Sequence, residues 1–238
     1  MKIEVLYPEL CNLFGESGNT LYLKEALSGV KIINTSLNDK PKFLDDDVEL
    51  VYIGATNEKN QELIIEKLIP YKEQIKKKIE EGQLILATGN SLEIFTNYIM
   101  DDNRKIEGLG IFDCYAKRNM NKRHNSLFLG QYENNYILGF KSQFSHLYDL
   151  KNNYFIDVKK GVGANPNQKK HEGIHYKNFY GTYLLGPILV VNPYFTKLIL
   201  NIAGYNKEIK YMDESINAYN YRLSELLDEK TIFGSIHN

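Results

Sequence analysis

The chain has no tryptophan, two cysteines and six prolines in 238 residues, and each scarcity narrows what it can be. Cys11 and Cys114 cannot build a disulfide framework, which excludes a small stapled scaffold and leaves both expected as free thiols. No charge of one sign dominates. With 29 Lys+Arg against 30 Asp+Glu the net is -1, so nothing global attracts nucleic acid, a membrane surface or an acidic substrate. Partners must be recognised locally. No long apolar run exists either: the longest, Tyr183 to Val191, is far short of the ~20 residues that span a bilayer and already contains Gly186 and Pro187. The opening MKIEVLYPELCNLFG carries Glu4, Pro8 and Glu9 where a signal peptide needs an unbroken apolar block, so the cytoplasm is the expected compartment. What is present, 43% hydrophobic, 12% aromatic and 25% charged residues, is the composition of a globular protein with a sizeable core.

Along the first 115 residues short β-branched runs alternate with helical patterns, which argues for βα units around a mostly parallel sheet. KIEVLY (2–7), VKIINTS (30–36), VELVYI (48–53) and QLILA (83–87) read as strands. Ser17, Gly18 and Asn19 offer caps for a helix through about Leu27, closed by Gly29. Leu63, Ile64, Leu68, Ile75 and Ile79 recur at helical spacing and are divided by Pro70, which is expected to open a second helix ended by Gly82. Thr88-Gly89-Asn90 then turns sharply into SLEIFTNYI (91–99), read as a helix; strand, sharp turn and helix is the geometry of a nucleophile elbow. LFLGQY (127–132) and NYILGF (135–140) flank Glu133-Asn134 as a hairpin, and 141–178 reads as a polar, loop-rich excursion. A helix is expected from Asn192 to Gly204 with Pro193 at its first position, and an amphipathic one over about 212–228. No repeat or linker divides the chain, so one α/β domain over 1–238 is the simplest organisation.

Four collinear segments carry more than their pattern: LYPELCNLFGESGNTLYLKEAL (6–27), GATNEKNQ (54–61), LATGNSLEIF (86–95) and YGTYLLGPILVVNP (180–193), with EGLGIFD (107–113), LGF (138–140), GVGAN (161–165) and HEG (171–173) as weaker echoes between them. Together they resemble the glutaminase domains of class I glutamine amidotransferases, in the branch that serves cobyric acid synthase and lipid II isoglutaminyl synthase. The match runs over about residues 5–203. The resemblance implies a flavodoxin-like three-layer α/β fold with a mostly parallel central sheet. It also implies a chemistry in active members: an elbow cysteine attacks the glutamine amide, a histidine moves the proton, and N–H groups of a glycine loop hold the oxyanion. Ammonia then passes to a synthetase partner.

The departures from that pattern decide the reading. The family's cysteine falls on Gly89, with Asn90 and Ser91 where two glycines follow, and its histidine falls on Leu185. The oxyanion loop keeps Gly54 but has Ala55 and Thr56 where two more glycines belong, and the family's Gly-Phe-Glu-Asn-His reads Gly139-Phe140-Lys141-Ser142-Gln143. Losing such a centre costs about six orders of magnitude in rate, or about 8 kcal/mol. Glycine at the elbow also relieves the strain of about 1–3 kcal/mol that a side chain bears in that backbone conformation.

Other candidates read more plainly. Cys11 and Cys114 stand off the elbow, as structural thiols. Ser91 is placed to cap the following helix. His171 and His175 flank Glu172 four apart, but Gly, Pro and Asn nearby argue against the helix that would pair them, and no metal or cofactor is expected. KEQIKKKIEEG (72–82) reads as a solvated amphipathic helix. Lys117, Arg118, Lys122, Arg123 and His124 form a basic cluster in an expected loop, either solvated or in contact with an anionic partner or ligand. The eighteen tyrosines show no base-stacking pattern, so no nucleic acid is expected.

The expected function is a glutaminase-like domain that has lost its activity and persists as a binding or regulatory subunit. The resemblance implies a Mur-ligase-like or other synthetase as partner, in peptidoglycan or cobalamin-type amidation, with no membrane insertion. The alternatives are an enzyme whose pocket is re-equipped for other chemistry with Asn57, Glu58, Asn90, Ser91 and Glu93, or an amidotransferase completed by a partner chain. The expected pocket residues are Gly54, Ala55, Asn57, Asn90, Ser91 and Arg123, with Gly89 and Leu185 at the positions of the missing reacting groups.

Overall fold

The computed structural model of the chain describes residues 1–167 and 170–234. In chain order its strands are β1 (Lys2–Leu6), β2 (Lys31–Thr35), β3 (Leu50–Ile53), β4 (Ile85–Thr88), β5 (Tyr98–Asp101), β6 (Arg104–Glu107), β7 (Tyr115–Arg118), β8 (His124–Tyr132), β9 (Asn135–Gln143), β10 (Ser145–Tyr148), β11 (Ile156–Lys160), β12 (His171–Glu172), β13 (Ile174–Tyr176) and β14 (Phe179–Thr182). Its helices are α1 (Ser17–Ala26), α2 (Glu58–Leu68), α3 (Lys72–Glu80), α4 (Ile188–Val191), α5 (Pro193–Ile202) and α6 (Met212–Leu227). A central sheet runs β13-β14-β4-β3-β1-β2, parallel throughout except for the β13/β14 pair. From β2 to β14 this is a doubly wound order, in which the crevice for a ligand opens at the carboxyl ends of the strands.

The strand sequences explain why the sheet is covered on both faces. Successive side chains of a strand point to opposite sides. Val51, Ile53, Ile85 and Ala87 enter one core with Ile64, Ile65 and Leu68 of α2 and Ile75 and Ile79 of α3. Leu50, Tyr52, Leu84 and Leu86 enter the other with Leu23 and Ala26 of α1 and Phe195, Ile199 and Leu200 of α5. The uninterrupted apolar runs LVYI and LILA are thus two half-runs, one for each face.

Two smaller sheets are added beyond this frame. The order β10-β7-β5-β6 packs Ile99, Ala116 and Leu147 onto the first core, and β12-β11-β8-β9 packs Phe128, Ile137 and Ile156 onto the second. The Glu133-Asn134 hairpin forms as expected, with Tyr132 opposite Asn135 and Glu133 at φ 52°. Helix α6 seats Tyr219 and Leu226 on Leu129 and Leu138 of that third sheet.

Several expectations are corrected. The segment 141–178 holds strands as well as loops: the end of β9, β10, β11, β12 and β13 fall in it, and Lys141 of β9 and Glu172 of β12 form a fully buried ion pair at 2.5 Å. Lys141 Nζ also donates to the carbonyls of Val162 and Gly163, so the ammonium is satisfied although burial lowers its pKa. After β4 the chain forms a 3-10 turn over Gly89–Phe95 instead of a helix through Ile99. Nearly all of that turn is buried, and pairing with β6 and β7 draws Tyr98–Asp101 into a strand. Pro70 sits inside a 3-10 link, Ile69–Tyr71, and α3 begins at Lys72. Asn19 does not cap α1: it is buried, donates to the Tyr52 hydroxyl and accepts from Leu189 N–H.

Asn192 precedes Pro193 as expected, yet its amide serves the third sheet. It accepts from Leu138 N–H at 2.8 Å and donates to the carbonyls of Leu138 and Ile188, both at 2.9 Å, imitating a strand along the edge of β9. Asn192→Ala leaves those buried groups without partners and is expected to lower the unfolding free energy by about 2–3 kcal/mol in equilibrium urea denaturation.

Candidate functional site

At the carboxyl ends of β3, β4 and β14, three loops meet over one small cleft. Thr88 ends β4 and Gly89 turns the chain at φ +60°, a region that favours glycine. Gly89 N–H donates to Leu184 O at 3.3 Å, and Leu185 N–H donates to Phe140 O at 3.0 Å, so the 184–186 loop lies between the elbow and β9. The cleft, about 90 Å³, is lined by Leu13, Phe14, Ala55, Thr56, Asn57, Glu58, Asn90, Arg123, Ser142, Phe144 and Leu185. That is well under the roughly 300–1,000 Å³ of a typical small-molecule site.

The deep end is filled by three residues that touch one another's space. A β-carbon placed on Gly89 would lie 2.4 Å from Ala55 Cβ and 3.3 Å from Leu185 Cδ2. Any side chain at 89 therefore requires a smaller residue at 55. The loop at 54–56 is also occupied chemically, since Thr56 N–H donates to Asn90 Oδ1 at 3.0 Å.

Buried polar residues hold this arrangement from below. The Glu16 carboxylate accepts from the Tyr52 hydroxyl, from Thr88 Oγ1 at 2.8 Å, and from Gly186 N–H at 3.0 Å, joining the start of α1 to β3, β4 and the 184–186 loop. Burial raises its pKa, against the opposing effect of those donors. Behind the elbow, Gln61 Nε2 donates to Asn90 O at 2.6 Å and to Glu93 at 2.9 Å, while its Oε1 accepts from Arg118 at 2.6 Å. Tyr183 donates to the other oxygen of Glu93, whose pKa burial also raises, and Arg118 continues to Asp101 and Glu62.

The structure brings Ala55, Asn57, Asn90, Arg123 and Leu185 together at the cleft, and buries Gly54 and Ser91 behind it. Gly54 is enclosed by the Cys11 carbonyl and the Glu16 side chain. Ser91 does not cap a helix; its hydroxyl donates to the Gly54 carbonyl. Asn57 caps α2, accepting from Asn60 N–H at 2.8 Å. Glu93, expected as a polar pocket group, is fully buried in the brace.

The basic cluster divides. Arg118 is buried and bound internally, Lys117 lies exposed on β7, Lys122 is exposed, and His124 lies on β8 with its ring nitrogen 2.9 Å from Ser126 Oγ. Of the five only Arg123 reaches the cleft, its guanidinium carbon 4.5 Å from the centre of the Phe144 ring. His171 and His175 occupy separate strands on either side of Gly173 and stack on Tyr154 and Tyr180. Cys11 and Cys114 are buried, and burial pushes both thiols up to about 12, which leaves them unreactive near neutrality. Sequence reasoning did not single out Glu16, Gln61, Ser142 or Phe144, although Glu16, Gln61 and Ser142 lie inside the segments 6–27, 54–61 and 139–143 that carry the resemblance.

A buried elbow at the switch of a doubly wound sheet, flanked by a 54–56 loop and a 184–186 loop, defines a glutamine amidotransferase domain. The family model for the CobB/CobQ-like glutamine amidotransferase domain matches residues 2–193, and the chain belongs to that family. It is 30% identical over 209 residues, 87% of the chain and 85% of the relative, to "Lipid II isoglutaminyl synthase (glutamine-hydrolyzing) subunit GatD" of Staphylococcus aureus. It is 28% identical over 249 residues, 97% of the chain and 90% of the relative, to the protein of the same name from Streptococcus pneumoniae. Among solved structures it is similar in fold to a glutamine amidotransferase at TM-score 0.61 and 15% identity, covering 85% of this chain and 98% of that one. No helix among the described residues is long and apolar enough to cross a membrane.

Two outcomes test this geometry. Gly89→Ala combines a positive φ with the Ala55 clash and is expected to cost about 2–4 kcal/mol. In a double-mutant cycle by urea denaturation, Ala55→Gly should recover the steric part in the Gly89→Ala background while destabilising the parent chain. The second concerns pH. Because the folded pKa of Glu16 is raised above its unfolded value, its contribution is fully present below the unfolded pKa of about 4.3 and is lost as pH rises through the folded value. Glu16→Gln should therefore show a shallower fall in Tm with rising pH above that point in calorimetry.

Proposed function

We propose that this protein is the glutaminase-fold subunit of a synthetase pair and has lost glutaminase chemistry of its own. One observation carries the reading: the space a nucleophile would need at 89 is held by Ala55 and Leu185. The resemblance assigns the family's cysteine to Gly89 and its histidine to Leu185, and neither residue can attack an amide carbon or accept a proton. Asn90, by accepting from Thr56 N–H, also takes up a donor in the loop assigned to the oxyanion. What survives is the scaffold that would face a partner. A Mur-ligase-like synthetase in the cytoplasm is the partner we infer, and the printed names of the relatives, subunits of lipid II isoglutaminyl synthase, favour the cell-wall branch over the cobalamin type.

A second reading has its own support. Glu58 and Arg123 line the cleft, and neither has an ion-pair partner among the described residues. A small ligand bearing both charges would satisfy them, as a re-equipped pocket requires.

Co-expression with each Mur-ligase-like protein of the same genome separates the readings. We expect a stoichiometric complex in size-exclusion chromatography with light scattering, and ammonia release from glutamine at the no-enzyme rate with or without the partner. Release above that rate, abolished by one substitution in this chain, would overturn the loss of activity. A chain that binds no synthetase but is stabilised by a small amino acid in a thermal-shift assay would support the re-equipped pocket instead.

A further inference from the structure

A mostly apolar concavity of about 590 Å³ lies away from the cleft, between α4 and α6. Its floor follows from the sequence of α6. Tyr219 and Leu226 turn one side of that helix onto the third sheet. The adjoining side presents Glu214, Ala218, Tyr221 and Glu225, spaced four, three and four residues apart and so aligned in one stripe, and Tyr219 itself also lines the hollow. Ala218 forms a low point in the middle of the stripe. Val191 of α4, 38% exposed, and Tyr221, 70% exposed, stand on either side of the hollow. Large apolar side chains left this open in a groove mark an interaction surface more often than accident.

The charges say what kind of partner fits. Glu214 and Glu225 close the two ends of the stripe, eleven residues and so about 16 Å apart along the helix. Neither has an ion-pair partner among the described residues; Arg222 stands on the flank of this hollow, and Lys197, Lys207 and Lys210 line the neighbouring hollow that Glu214 also borders. An apolar hollow between two unpaired carboxylates three helical turns apart is complementary to an amphipathic helix with an apolar stripe and a Lys or Arg at each end of the same span. We infer that this groove docks a basic amphipathic helix of the partner protein, apolar side chains over Ala218 and cations on Glu214 and Glu225. The inference rests on the subunit reading and assigns it a surface.

The test uses the full chain and a synthetic alanine–leucine helix carrying two lysines eleven residues apart, read by fluorescence anisotropy. Ala218→Arg fills the hollow at an exposed position of a helix and is compatible with folding, which circular dichroism and Tm verify. It is expected to weaken the peptide about tenfold or more, as is the Glu214→Lys/Glu225→Lys pair. The same peptide with glutamates for lysines should bind the parent chain weakly and the doubly reversed chain better. Equal binding of both peptides to the parent chain, or no effect of Ala218→Arg, overturns the proposal. A concentration-dependent dimer that Ala218→Arg dissociates overturns it as well, since the occupant is then a second copy. If the parent chain binds a synthetase in co-expression and Ala218→Arg leaves that complex intact, this surface is wrong while the subunit reading stands. If the parent chain binds no synthetase, the subunit reading fails independently of the peptide result.

Discussion

A buried carboxylate needs donors, and at Glu16 those donors come from four parts of the chain. Tyr52 on β3, Thr88 at the end of β4, Gly186 in the loop after β14 and Asn19 on α1 all turn toward it. Each would lose its own partner if another moved, so the three loops that form the cleft are fixed relative to one another before any ligand is considered. Gln61 and Arg118 add a second anchor from the opposite side by holding the Asn90 carbonyl and Glu93. The fold therefore keeps a rigid, preorganised crevice where a reacting group would have been useful.

That rigidity makes the filling of the cleft informative. Ala55, Gly89 and Leu185 lie far apart in sequence but compete for one volume, so their identities are linked by packing rather than by chance. A glycine at 55 leaves room for a side chain at 89; an alanine there demands a glycine at 89. With glycine at the elbow and alanine and leucine around it, the contact between these segments is apolar. The strain of a side chain at φ +60° is removed as well.

Much of the scaffold was legible in the residues. VELVYI and QLILA read as strands of a mostly parallel sheet, Asn192-Pro193 and Gly204 marked the ends of α5, and Glu133-Asn134 marked the hairpin. The errors share one cause. SLEIFTNYI carries helical periodicity, but pairing with β6 and β7 rewarded an extended Tyr98–Asp101 more than a continued helix. Polar 141–178 looked like loop because Lys141 and Glu172, which local pattern places in solvent, neutralise one another inside the protein. The basic cluster looked like one surface, yet Arg118 and Arg123, five residues apart, belong to a buried brace and an open cleft.

The sequence by itself determined the parallel βα frame, the sharp turn at Gly89 and the absence of a nucleophile and a base at the positions where the resemblance places them, because these depend on short periodicities and on residue identity. Only the tertiary structure decided that Ala55 and Leu185 occupy the space above Gly89, that Ser91 and Gly54 face away from the cleft, and that α6 leaves an acidic-ended groove open beside α4. Those are relations between segments distant in sequence, set by which buried polar groups can satisfy one another and which surfaces remain uncovered once they do.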